Sequence, residues 1–181
     1  MSAHSTPSGE TVILDAERIE RCIQRIARQI LEDHHAAPLI AITAIDGQGT
    51  VMARRIVDAL EAISKTPVQG FTVTLDKEAP LDHPIAVTDR HGAAFDASVL
   101  DGSTIIVVDD VLNSGRTLLH AVATLLPHRP RYIATCVLVD RIHRRFPVRA
   151  DYVGQSLSTN LKSHIDVRLS GPGQDEAVLM D

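Results

Sequence analysis

Apolar residues recur along the chain with two different periods, and these periods predict helices and strands in turn. From residue 15 to residue 31 the apolar positions follow the 3.6-residue spacing of an amphipathic helix. Asp15 precedes this stretch and is a residue type that caps a helix by accepting hydrogen bonds from its first N–H groups. The same spacing predicts a second helix over residues 51–63 and a third from Thr117 to Leu126.

Four short apolar runs predict strands: Leu39–Ile45, Val68–Leu75, Thr104–Val108 and Tyr132–Val139. The first and third are almost continuously apolar, as in parallel strands that are covered on both faces. Because strands and helices alternate, we predict an α/β fold with a mostly parallel central sheet flanked by helices. Binding sites in such sheets lie beyond the carboxyl ends of the strands, where the chain reverses.

Two stretches lack this periodicity. Residues 76–102 contain Asp, His, Pro and Gly, and so long a connection within a compact domain is usually functional. We expect it to form a flexible lid or hairpin. Residues 1–11 carry no apolar anchor and are expected to form a disordered tail, which leaves residues 12–181 as a single domain.

Composition narrows the class of protein. With 181 residues, 44% of them hydrophobic, the chain can bury one core but not two. A formal net charge of −5 provides no overall basic field for nonspecific nucleic-acid binding. No apolar run approaches the roughly 18 residues of a membrane span, and both cysteines lie in apolar-periodic stretches. We therefore expect a soluble, cytoplasmic protein without a membrane partner.

The candidate chemistry lies after the third predicted strand. Asp109 and Asp110 follow Val108, and a loop of small residues, Asn113–Thr117, then opens into the third predicted helix. Glycine lets a ligand approach the backbone closely, and the N–H groups at a helix start attract an anion. Two acids beside such a loop would repel phosphate alone, but they suit a ligand that also carries hydroxyl groups. The segment therefore predicts a ribose 5-phosphate site.

The run Val107–Leu118 resembles the phosphoribosyl pyrophosphate signature of type I phosphoribosyltransferases. This resemblance implies that family's fold, with a flexible hood or lid. It implies that Asp109 and Asp110 hold the ribose hydroxyls and act in catalysis. It also implies that Asn113, Ser114, Gly115, Arg116 and Thr117 bind the 5-phosphate. Mg²⁺ would then be bound mainly through substrate oxygens, with no direct protein ligand.

Residues 137–154 are similar to a segment of the bacterial pyrimidine operon attenuators that are also uracil phosphoribosyltransferases, as are residues 12–15 and 176–180. The resemblance implies synthesis of UMP and pyrophosphate from uracil and phosphoribosyl pyrophosphate, and a homodimer or higher homo-oligomer. It implies a base site at Val139, Asp140, Arg141 and Ile142. It also implies an mRNA-binding surface at Arg25, Arg28, His143 and Arg149.

This chain departs from that family at the loop expected to bind pyrophosphate. The family has Lys-Thr-Arg-Gly where this chain has Asp46, Gly47, Gln48 and Gly49. Two positive charges are replaced and a negative charge is added. Repulsion of pyrophosphate by one charge at ~4 Å costs ~1–4 kcal/mol, according to the effective dielectric constant. Gln155 likewise stands where the family usually has a lysine in its RNA-binding surface.

Three hypotheses follow from the sequence. The first is a uracil phosphoribosyltransferase, and the second is an RNA-binding attenuator that senses nucleotides with weak or lost turnover. The third is a transferase that uses a different base or phosphoribosyl donor. RNA affinity based on several phosphate contacts falls steeply with salt, whereas nucleotide binding does not, so salt dependence distinguishes the second from the others.

Overall fold

Two sheets and three α-helices make up most of this computed structural model. It describes residues 10–76, 83, 85–142, 144–158, 163–171 and 173–180. The helices are α1 (Ala16–His34), α2 (Gln48–Ile63) and α3 (Arg116–Leu125). The strands are β1 (Glu10–Asp15), β2 (Ile40–Ile45), β3 (Val68–Thr74), β4 (Ala86–Asp89), β5 (Thr104–Leu112), β6 (Tyr132–Arg141), β7 (Tyr152–Leu157), β8 (His164–Arg168) and β9 (Glu176–Met180). Asp15 caps α1 by accepting the Arg18 N–H, as predicted.

The larger sheet has the strand order β4-β3-β2-β5-β6-β7. Strand β4 runs antiparallel to β3, and every other neighbouring pair is parallel. This confirms the prediction of a mostly parallel central sheet. Because β2, β5 and β6 are adjacent and parallel, their carboxyl ends meet at one edge, and polar residues that follow or end these strands are brought together there.

The alternation of side chains explains why the central strands are continuously apolar. On β5, Ile106 and Val108 pack with α1 and α2 on one face, whereas Ile105 and Val107 pack with α3 on the other. Both cysteines lie in this interior as free thiols, and burial raises the pKa of the Cys136 thiol. No helix in the described part of the chain has the length and apolar content needed to cross a membrane.

The smaller sheet is antiparallel, in the order β1-β9-β8. Strand β1 begins at Glu10, so residues 10 and 11, predicted as the end of the terminal tail, instead pair with β9. Residues 1–9 lie outside the described residues. Arg55 of α2 joins this sheet to the helices, since its guanidinium contacts buried Asp175 at 2.5 Å and Glu20 at 2.6 Å. The hydrogen bond from Arg55 lowers the pKa of Glu20.

Two predicted strand ends were wrong. Strand β5 continues to Leu112 and β6 to Arg141, so the two acids after Val108 lie within a strand. The reason is that backbone pairing continues, with Leu112 opposite Asp140, after the apolar pattern has ended. Residues 76–102 were expected to form a flexible lid or a hairpin. Within them β4 pairs antiparallel with β3, as in a hairpin. The part expected to move as a lid includes residues 77–82 and 84, which lie outside the described residues.

Candidate functional site

A cavity of about 430 Å³ opens at the carboxyl ends of β5 and β6. One wall is the continuous run Asp109–Leu118, which comprises the end of β5, the following loop and the start of α3. The rest of the lining consists of Val137, Arg141 and Arg145 together with the β8 residues 164–167. The segment with the predicted chemistry therefore lines a single cavity at the predicted edge of the sheet.

The loop before α3 has the geometry of an anion-binding helix start. Gly115 is the N-cap residue and has φ of 87°, a left-handed conformation that glycine adopts without a side-chain clash. Helix α3 begins at Arg116, and the Ser114 hydroxyl accepts the Arg116 N–H at 3.3 Å. The hydroxyls of Ser114 and Thr117 thus stand beside the N–H groups of a helix terminus, where an anion is favoured.

The segment after β6 supports this loop from behind. The N–H groups of Arg145 and Phe146 both donate to the Ser114 carbonyl oxygen, at 3.0 and 3.1 Å. A Cβ atom added to Gly115 would lie 2.5 Å from Cγ1 of Val148. Glycine is therefore required at position 115 by both its backbone conformation and this packing contact.

Asp109 and Asp110 both line the cavity but have different surroundings. Asp109 is only 6% exposed, and its Oδ1 accepts the Asp110 N–H at 3.0 Å. The first turn of α2 packs beside it, since a Cβ on Gly49 would lie 3.1 Å from the Val108 carbonyl oxygen. Asp110 is half-buried, so it is the more accessible carboxylate of the pair.

The loop from Asp46 to Gly49 is at the end of β2, and none of its four residues lines the 430 Å³ cavity. Asp46 and Gly47 are exposed, and the Asp46 carboxylate accepts the Gly47 N–H at 2.9 Å. Gln48 and Gly49 begin α2, where Gln48 Oε1 accepts the N–H of Leu169, just after β8, at 3.1 Å. Gln48 therefore connects this loop to the smaller sheet.

The four predicted base-site residues lie in four different environments. Arg141 lines the cavity, and its guanidinium donates to Asn113 Oδ1 at 3.0 Å. Val139 is fully buried in the core, and Ile142 is 54% exposed outside the cavity wall. Asp140 is buried and forms an ion pair with Arg144, not with Arg141. Of the four residues only Arg141 lines the cavity, and the base-site role of Val139, Asp140 and Ile142 stays a prediction.

The predicted RNA-binding residues also differ in their contacts. The Arg25 guanidinium donates to the carbonyl oxygens of Val153 and Gly154, both at 2.8 Å, and so joins α1 to β7. Arg28 is exposed, and its guanidinium donates to a carbonyl of its own helix. The Arg149 side chain is 80% exposed and lies 3.8 Å from Asp151. His143, the fourth predicted residue, lies outside the described residues.

Sequence reasoning missed the wall provided by β8 and the segment after β6. His164 and Asp166 line the cavity although about fifty residues separate them from the phosphate loop. Asp166 Oδ2 also accepts a hydrogen bond from Arg168 at 2.7 Å. A five-residue strand has too short a pattern to indicate which distant loop it covers. Arg145 was missed because an arginine in a run of basic residues has no distinguishing pattern.

The side chains that line the cavity determine how the protein could hold a divalent cation. Over the ranges that the structure describes, no group of three or more His, Cys, Asp and Glu residues is arranged to hold a metal ion. The cavity does present the carboxylates of Asp109 and Asp110. Such a pair fits an ion like Mg²⁺, which commonly retains several water molecules and completes its coordination with substrate oxygens.

Comparison with known proteins relates this geometry to a family. Residues 10–170 match the model of the phosphoribosyl transferase domain. A protein named bifunctional protein PyrR from Streptomyces coelicolor is 37% identical over 171 residues, covering 93% of this chain and 88% of the relative. The protein of the same name from Roseiflexus is 39% identical over 165 residues, covering 89% of this chain and 88% of the relative.

Solved structures show the same fold at lower identity. The hypoxanthine phosphoribosyltransferase of Trypanosoma cruzi superposes with a TM-score of 0.70 at 19% identity, covering 93% of this chain and 95% of that one. A hypoxanthine-guanine phosphoribosyltransferase from Bacillus anthracis gives a TM-score of 0.65 at 20% identity, covering 87% and 85%. At these identities the likeness establishes the fold and not the base that is bound.

Proposed function

Because this chain belongs to the phosphoribosyl transferase domain family, we propose that it transfers phosphoribose from phosphoribosyl pyrophosphate to uracil, giving UMP and pyrophosphate. The observation that carries the proposal is one cavity in which Asp109 and Asp110 stand next to the loop 113–117. Hydroxyl-binding carboxylates and a phosphate-binding helix start are the two recognition elements that a ribose 5-phosphate requires. The name of the relatives, PyrR, favours uracil over hypoxanthine as the base.

In this proposal, the loop 113–117 binds the 5-phosphate through backbone N–H groups and the hydroxyls of Ser114 and Thr117. Asp109 and Asp110 accept hydrogen bonds from the ribose hydroxyls. A bond forms between a ring nitrogen of uracil and the anomeric carbon, and the bond from that carbon to pyrophosphate breaks. The proton of that nitrogen leaves to the departing pyrophosphate or to water. Positive charge develops on the ribose as this happens, and the two carboxylates stabilise that charge.

Mg²⁺ is the cofactor we propose; Asp109 and Asp110 would lie beside it, and substrate oxygens would provide most of its ligands. When bound, the ion supplies positive charge to the leaving pyrophosphate. The protein residues orient the ribose and fix its 5-phosphate. Val137 and Arg141 provide the part of the wall available to the base, and Arg141 is itself oriented by Asn113.

A single-turnover assay tests the choice of base. The protein is mixed with phosphoribosyl pyrophosphate and Mg²⁺, and uracil or hypoxanthine is supplied as the acceptor. We expect UMP from uracil and no IMP from hypoxanthine, read by separation of the nucleotides. IMP in place of UMP would contradict the assignment of the base, and measurable UMP binding without product would favour a nucleotide-sensing regulator instead.

Replacing Asp46 by Asn should strengthen the binding of phosphoribosyl pyrophosphate roughly fivefold to tenfold. Asp46 is exposed in the proposed pyrophosphate loop, so the solvent-screened, lower end of the repulsion between single charges applies. Isothermal titration with phosphoribosyl pyrophosphate and Mg²⁺ measures the effect. UMP lacks the pyrophosphate and is the internal control, so its Kd should stay constant. An unchanged Kd for phosphoribosyl pyrophosphate would show that Asp46 does not face the pyrophosphate.

A second function, RNA binding, is favoured by the exposure of Arg28 and Arg149. Arginine guanidinium groups at a surface suit RNA phosphates and stack on unpaired bases. Arg25 contributes indirectly in this proposal, because its guanidinium holds α1 against the strand β7 that follows Arg149. The word bifunctional in the names of the relatives agrees with a second activity. Affinity for RNA that falls steeply with salt would support it.

A further inference from the structure

We propose that Arg145 is a phosphate-binding residue of this site, with its guanidinium contacting the ligand's 5-phosphate beside the helix start. Its backbone is fixed to the phosphate loop, since the Arg145 N–H donates to the Ser114 carbonyl oxygen at 3.0 Å. Arg145 also lines the cavity that the loop 113–117 lines. Arg145 therefore lies at the loop in space although it comes 28 positions after Thr117, the last residue of that loop, in the chain.

The guanidinium of Arg145 differs from those of its neighbours in having no acidic partner among the described residues. Arg144 is paired with Asp140, and Arg149 lies 3.8 Å from Asp151. Arg141 donates to Asn113. Arg145 itself is exposed at the cavity, so its guanidinium is available to a ligand without the loss of an existing ion pair.

The balance of charged residues in the cavity lining also supports phosphate binding by Arg145. The wall contains three acids, Asp109, Asp110 and Asp166, and three arginines, Arg116, Arg141 and Arg145. Arg168, outside the wall, pairs with Asp166. Among the remaining wall residues Arg145 makes the arginines outnumber the acids by three to two, which favours a phosphate dianion. A guanidinium is also suited to phosphate because its planar N–H groups can donate two parallel hydrogen bonds.

The inference rests on one part of the proposed function, namely that the ligand carries a 5-phosphate. Ribose 5-phosphate has this phosphate but no base, so its binding tests Arg145 independently of which base is used. We expect Arg145→Gln to weaken ribose 5-phosphate and UMP roughly tenfold to a hundredfold, the effect of one charge-assisted hydrogen-bonded contact. Uridine, which lacks the phosphate, should bind equally well to both proteins. Arg145→Lys should recover part of the loss, because it restores the charge but not the fork of donors.

Lys65→Gln is the matched control. Lys65 is exposed in the connection before β3, at the end of the sheet away from the cavity, and its substitution changes the net charge by the same amount. Its affinities should equal those of the unsubstituted protein. In turnover assays Arg145→Gln should raise the KM for phosphoribosyl pyrophosphate and leave kcat unchanged, as expected when uniform binding is lost.

Two results would overturn the inference: unchanged binding of ribose 5-phosphate by Arg145→Gln, or an equal loss of UMP and uridine binding. The second would indicate that Arg145 only maintains the shape of the loop. Failure of the proposed function is separate. If ribose 5-phosphate binding depends on Arg145 but no UMP forms from uracil, the transferase proposal fails and the role of Arg145 stands.

Discussion

Replacing Asp110 by Asn should lower the rate of UMP formation about a hundredfold to a thousandfold while leaving the fold intact. The substitution keeps the size of the side chain and removes the negative charge that we propose to face the developing positive charge of the ribose. Loss of one preorganised electrostatic contact in an active site typically has an effect of this size. Asp110 is preferred to Asp109 for the test, because the Asp109 carboxylate also accepts the Asp110 N–H and is buried.

Single-turnover kinetics with phosphoribosyl pyrophosphate, Mg²⁺ and uracil measure this rate. Asp101→Asn is the matched control, since it makes the same change before the opposite end of β5, where Asp101 forms an exposed ion pair with Arg129. It should turn over at the rate of the unsubstituted protein. A rate for Asp110→Asn within a few-fold of that value would remove Asp110 from the catalytic groups.

Replacing Gly115 by Ala should destabilise the protein by ~2–5 kcal/mol and abolish measurable binding of ribose 5-phosphate, the ligand that we propose for the loop 113–117. Two costs add at this position. A residue with a Cβ pays ~1–2 kcal/mol for the left-handed conformation that Gly115 adopts at φ of 87°. The new methyl group would also lie 2.5 Å from Cγ1 of Val148, and overpacking of this kind costs ~1–3 kcal/mol. Chemical denaturation and ligand titration measure the two effects.

Gly92→Ala is the control that separates the conformational cost at Gly115 from the packing cost. Gly92 also has a positive φ, 79°, but a Cβ there would meet no atom within 4 Å, so only the conformational cost applies. The packing cost should be relieved by combining Gly115→Ala with Val148→Ala, which makes the pair non-additive in a double-mutant cycle. If Gly115→Ala is no more destabilising than Gly92→Ala, the contact with Val148 does not constrain the loop.

Much of the fold follows from local pattern. The 3.6-residue period predicted α1 together with its cap at Asp15, and the continuous apolar runs predicted β2 and β5 as covered parallel strands. Such signals are reliable because a helix or strand repeats the same environment at a fixed interval, and burial selects the same residue type each time. The strand ends were less accurate, because the apolar pattern on β5 stops before its backbone pairing does.

The candidate site, like the fold, has a part that follows from the sequence and a part that depends on tertiary packing. Asp109, Asp110 and the loop 113–117 are close in the chain, so the sequence by itself determined that two carboxylates and the start of a helix would stand together. Only the tertiary structure decided what lies around them: β8 lines the same cavity, and Arg145 and Val148 contact the loop. It also decided that Asp140 pairs with Arg144. These contacts join residues whose separation in the chain has no fixed period, and they depend on how sheets and loops pack, which no local pattern records.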